Sequence, residues 1–158
     1  MIEKELKKWL SDAEKIAIAG IGNPIRMDDF VGVKIVQDLH GKVSDKVLLI
    51  ECETVPESYL QQIIDFSPTH ILLIDAAILG LNPSEAKLVK LEELANFPAF
   101  TTHMLPLRIF CEYLVKMTKA KISLLLIEPE KTDFGEGLTP KLADFAKKTT
   151  ETLVRLLN

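Results

Sequence analysis

Two stretches of this chain, His-Ile-Leu-Leu-Ile-Asp at 70–75 and Lys-Ile-Ser-Leu-Leu-Leu-Ile at 121–127, are apolar at consecutive rather than alternate positions. A strand of that kind hides both faces, as happens when helices cover a parallel sheet above and below. Further strand runs fall at 15–20 and 47–51, with a shorter one at 86–91. Between them lie helical patterns. Residues 28–39 place Val31, Ile35, Val36 and Leu39 at helical spacing, and 56–66 start at Pro56 with Tyr59, Leu60, Ile63 and Ile64 inward. The 105–117 helix presents Ile109, Phe110, Tyr113, Leu114 and Met117 as its apolar face. Thr139 as N-cap and Pro140 at the first helical position open a last helix, whose stripe is Leu142, Phe145, Thr149, Leu153 and Leu156. A short N-terminal helix carries Ile2, Leu6, Trp9 and Leu10 on one side, and 92–100 reads as a helical turn and a loop. The alternation predicts an α/β fold, a three-layer α/β/α sandwich with a mostly parallel central sheet.

At 158 residues without repeats or linkers, the chain is expected to form one domain, 1–158. No apolar run approaches the roughly 20 residues of a membrane span, and the charged N-terminus is not a signal peptide. A net charge of −4 disfavours a nucleic-acid partner, which needs a basic footprint. Cys52 and Cys111 lack CxxC spacing, so reduced core thiols in a cytoplasmic protein are expected.

In an open parallel sheet, ligands bind beyond the carboxyl ends of the strands. Asp28 and Asp29 follow the first strand, Asp75 ends the third, and His103 precedes the 105–117 helix. Asp29, Asp75 and His103 are metal-ligand types, and two carboxylates with one imidazole leave open positions on a divalent ion. An Asp at 28 or 29 also fits helix capping, and His103 fits a bond to a nearby carbonyl. Asp75 is harder to assign to structure, because a carboxylate after Ile-Leu-Leu-Ile is costly to bury unpaired. His40 and His70 are assigned to structure. Gly20, Gly22 and Asn23 suggest a phosphate loop, but Ile25 stands where GxGxxG requires glycine. No GxSxG elbow is present.

Gly22-Asn23-Pro24, four residues and then Asp29 resembles the opening motif of the nickel–iron hydrogenase maturation endopeptidases. Leu73-Ile74-Asp75 and Thr102-His103-Met104-Leu105-Pro106-Leu107 extend the resemblance, as does Gly137-Leu138-Thr139-Pro140, and it runs from Lys15 to Leu157. The wording around His103 is nearest the branch serving formate-hydrogenlyase-type or membrane-bound hydrogenases. The resemblance implies an aspartyl-type endopeptidase that removes the C-terminal extension of a hydrogenase large-subunit precursor after nickel insertion. It implies that Asp29, Asp75 and His103 recognise nickel, which the substrate supplies and the free protein holds only weakly. Asp28 is then a general base or a partner of the ligands. The chain departs from the family pattern at Phe30, where glycine is usual, and at Glu51-Cys52-Glu53, where Asp-Gly-Gly is frequent. Bulk there is expected to narrow the cleft or to change substrate choice.

Three other readings share some of these residues. A nickel-sensing docking chaperone would use the same ligands without cutting. Gly-Ile-Gly-Asn-Pro also resembles the start of peptidyl-tRNA hydrolase, but Arg26-Met27-Asp28-Asp29 lacks that family's catalytic histidine. A metal-free domain binding a small ligand would make Asp29, Asp75 and His103 dispensable.

Overall fold

The computed structural model describes residues 2–96 and 104–158. Five strands form one sheet: β1 (Ile16–Ile21), β2 (Val47–Glu53), β3 (His70–Ala76), β4 (Ala86–Lys90) and β5 (Lys121–Ile127). Their order is β2-β1-β3-β5-β4. β1 pairs in parallel with β2 and β3, β3 pairs in parallel with β5, and β4 runs antiparallel beside β5. Every residue of β1 and β3 is buried, as their two-sided apolar pattern requires.

The helices are α1 (Ile2–Trp9), α2 (Val31–Leu39), α3 (Leu60–Phe66), α4 (Met104–Thr118) and α5 (Pro140–Leu157). Alternate strand residues split the core in two. Ala17, Ala19, Ile71 and Leu73 pack with Ile63 of α3 and with Phe110 and Leu114 of α4. Ile16, Ile18, Leu72 and Ile74 pack with Leu6 of α1, Ile35 of α2 and Leu142 of α5. The three expected layers are present. No helix among the described residues is long and apolar enough to cross a membrane.

The sequence reading needs correction on α4. Phe110 and Leu114 are buried, but Ile109, Tyr113 and Met117 face outward at 60%, 45% and 50% exposure. The helix buries a different side, made by Leu107, Phe110, Cys111 and Leu114. The apolar arc of α4 is wider than the sheet beneath it can cover. Leu91–Asn96 forms a tight 3₁₀ helix, while the rest of the stretch expected as turn and loop, 97–100, lies outside the described residues. Cys52 and Cys111 are free and buried as expected. Burial, with smaller contributions from Glu57 and Glu112 respectively, pushes each thiol up to about 12, far from a reactive thiolate.

His70 holds α1 and the strand edge together. It is buried, its Nε2 lies 3.1 Å from Asp12 Oδ1, its Nδ1 lies 3.0 Å from Thr69 Oγ1, and Trp9 meets it edge-on. Its assignment to structure agrees with that setting, at the end of the sheet opposite the carboxyl ends of the strands.

Candidate active site

From β1 the chain crosses through α2 to β2, then returns past β1 through α3 to β3. That reversal opens a crevice beyond the carboxyl ends of β1 and β3, where an α/β sheet binds its ligands. A pocket of about 240 Å³ lies there. Its lining is Ile21 and Gly22 after β1, Asp29 from the next turn, Thr54, Pro56 and Glu57 after β2, Asp75 of β3, and Pro106 and Leu107 of α4.

Local rules place Asp29. Asn23 Oδ1 accepts the Ile25 N–H at 3.1 Å, closing an Asx turn, and the Asn23 N–H donates to Asp29 Oδ2 at 2.9 Å. Gly22 permits the close return of the chain, since a Cβ at that position would lie 1.9 Å from the Asp29 carbonyl oxygen. The Gly-Asn-Pro wording is therefore a device for aiming Asp29.

Asp75 is 7% exposed. Its carboxyl is raised well above the ordinary carboxylate range, first by burial and then by the negative charge of Asp29, with a smaller opposing effect from the Ala76 backbone. The two carboxylates thus share one cleft and repel one another. A divalent cation between them would relieve both the repulsion and the burial cost. Among the described residues, no three His, Cys, Asp or Glu side chains converge to hold a metal. Glu57 lines the same pocket without converging on the pair, and Asp29 with Asp75 is an incomplete donor set, which suits an ion that arrives with ligands of its own. His103 lies outside the described residues.

Asp28 does not line this pocket, and its expected role as general base is corrected by its surroundings. It is fully buried, so neither oxygen reaches the cleft where a substrate would lie. Its Oδ1 accepts the Thr139 N–H at 2.7 Å, and its Oδ2 accepts the Thr139 hydroxyl at 2.7 Å and the N–H groups of Glu130 and Lys131 at 2.9 and 3.0 Å. Thr139 occupies the expected N-cap position of α5, but its hydroxyl serves Asp28 rather than the helix. Asp28→Asn turns one acceptor into a donor facing donors. It is expected to cost about 2 kcal/mol, read as a lower denaturant midpoint. A change within about 0.5 kcal/mol, the usual range of neutral surface substitutions, would contradict the clamp.

Two departures from the family pattern leave the cleft lining untouched. Neither Phe30 nor Glu51, Cys52 or Glu53 lines the pocket, so the expected narrowing is not seen. Sequence reasoning missed Thr54, Pro56 and Glu57, although they follow β2 at the same edge that singled out Asp29 and Asp75. It also missed Glu128, whose Oε1 accepts the Leu79 and Leu81 N–H groups at 2.7 and 3.1 Å and pins the loop after β3.

The backbone is similar to that of a nickel–iron hydrogenase maturation protease, HycI, from Thermococcus kodakarensis. The TM-score is 0.89 at 30% identity, covering 97% of this chain and 98% of that one. It also resembles the Escherichia coli hydrogenase maturating endopeptidase HybD in fold, with a TM-score of 0.76 at 23% identity over 88% of this chain and 89% of that one. In class, the chain is a peptide-bond hydrolase built on an α/β sandwich. A Methanocaldococcus jannaschii protein named as a hydrogenase maturation protease is 36% identical over 133 residues, 79% of this chain and 78% of its own length. The HycI hydrogenase maturation protease model matches residues 33–156, a span that includes Asp75 and His103 and begins just after Asp29. The chain belongs to the hydrogenase maturation protease family.

Proposed function

We propose that this protein removes the C-terminal extension of a nickel–iron hydrogenase large-subunit precursor in the cytoplasm, after nickel has been inserted, and that the substrate's nickel is its recognition element. The observation that carries the reading is the pairing of Asp75, buried and raised, with Asp29 in a cleft at the reversal point of the sheet. A nickel ion on the substrate would draw the proton from Asp75 and bind both carboxylates, with His103 as the third ligand. The scissile peptide would then lie along the cleft wall made by Pro56, Pro106 and Leu107. Holding the peptide beside a carboxylate-activated or metal-bound water supplies the orientation that hydrolysis needs. Because the protein's own donor set is incomplete, nickel-free precursor would lack its anchor. Cleavage then checks nickel insertion.

Intact mass of a nickel-loaded precursor, measured before and after incubation with the protein, tests this directly. Loss of one discrete C-terminal peptide, only in the nickel-loaded sample, is expected. Equal loss from nickel-free precursor would remove the nickel requirement. Stable binding without any loss of mass would favour a docking chaperone and overturn the endopeptidase reading.

A further inference from the structure

Phe134 is 79% exposed, the most exposed of the large apolar side chains among the described residues, and Ile25 beside it is 44% exposed. Their two loops are stitched together. The Gly135 N–H donates to the Ile25 carbonyl at 2.9 Å, the Met27 N–H to the Gly135 carbonyl at 3.1 Å, and the Asp28 N–H to the Lys131 carbonyl at 3.0 Å. The buried Asp28 carboxylate fastens the same loop at Glu130, Lys131 and Thr139. A lone exposed phenylalanine on a loose loop would call for no explanation. Here an aromatic and an aliphatic side chain are held outward by a network with a fully buried carboxylate at its centre. An apolar anchor fixed before contact is what a docking surface uses to limit the entropy lost on binding.

We propose that Phe134 and Ile25 form a docking knob for the body of the large-subunit precursor, outside the cleavage cleft. This rests on the function proposed above. The occupant follows from continuity with the cleft. Ile25 belongs to the turn that aims Asp29, since Asn23 accepts the Ile25 N–H and donates its own N–H to Asp29 Oδ2, so a protein engaged at Asp29 meets this turn. Exposed Glu130, Lys131, Asp133 and Glu136 flank Phe134 in sequence, and exposed Arg26 follows Ile25. The complementary patch is an apolar hollow edged by charged side chains of both signs. Such a contact recognises the folded precursor and lends binding strength that the cleft alone would not supply.

The test measures cleavage kinetics on nickel-loaded precursor and calorimetric binding to nickel-free precursor, for the wild type and for Phe134→Ala. Phe134→Ala is expected to raise KM and Kd about tenfold or more while kcat changes less than about twofold. Higher salt should weaken wild-type binding, because the rim is charged. Unchanged KM and Kd in Phe134→Ala, with wild type cleaving normally, would overturn the knob and leave the proposed function standing. If wild type binds nickel-free precursor and Phe134→Ala loses that binding, but neither cleaves the nickel-loaded form, the knob stands and the endopeptidase reading falls. An equal loss of Kd in Asp29→Ala would also overturn the knob as a separate site. Phe134 is exposed, so its truncation should leave the thermal midpoint unchanged, and a lowered midpoint would mark the residue as structural.

Discussion

Asp29→Ala and Asp75→Ala are each expected to lower processing of nickel-loaded precursor by at least about a thousandfold, since groups acting as one unit fail together. His103→Ala should join them. The informative partner experiment is Asp75→Asn, because it separates the stability of the fold from its chemistry. Burial and the Asp29 charge raise the Asp75 carboxyl in the folded protein. A carboxyl raised on folding contributes stability that is present below its unfolded value, about 3.9, and lost as pH rises through the folded value. Asp75→Asn removes that loss. The variant should therefore be more stable than wild type near pH 7, with the difference shrinking towards pH 4. Thermal midpoints across that range, compared between the two proteins, isolate this carboxyl from all others. A variant that is inactive and more stable would identify Asp75 as a residue kept for function against stability. A variant that is less stable at neutral pH would show instead that the carboxylate is held by favourable contacts, and the proposed cation site would lose its main support.

How much of this was legible in the sequence depended on the range of each interaction. β3 and β5 were readable because burial on both faces writes an unbroken apolar run, and Asp75 was conspicuous because it ends such a run. Asp29 was readable through its turn, since Asn23 and Asp29 are neighbours in sequence and their bond is local. The Asp28–Thr139 clamp was not readable, because its partners lie 111 residues apart and each has a plausible local role as a cap. The outward side of α4 was misread for a related reason. Periodicity shows which residues share a face, but the width of the sheet decides how much of that face is covered. Gly20 and Gly22 were weighed as a phosphate loop, whereas the structure uses them to let backbone approach backbone.

That close approach yields the largest expected effect on folding, from Gly32→Ala. A Cβ on Gly32 would lie 2.0 Å from the Ile74 carbonyl oxygen and 2.9 Å from that of Ile21. Both neighbours are backbone atoms of central strands, so no flexible side chain can yield. Across the same contact, a Cβ on Gly20 would lie 2.5 Å from the Gly32 carbonyl oxygen. The two glycines let the first turn of α2 rest directly on β1 and β3. Gly32→Ala must push α2 off the sheet, at a cost of about 3 kcal/mol or more, lowering the thermal midpoint by roughly 10 °C. Gly41→Ala is the control. Gly41 has φ +80° with nothing within 4 Å of its Cβ position, so only backbone strain applies, worth about 1 kcal/mol. Equal midpoints for the two variants would contradict the packing argument. The contact also ties stability to the site, because Ile74 immediately precedes Asp75 and Asp29 lies three residues before Gly32. Displacing α2 therefore separates the two carboxylates as well as loosening the core. Any Gly32→Ala protein that remains folded should lose processing by a larger factor than its folded fraction accounts for.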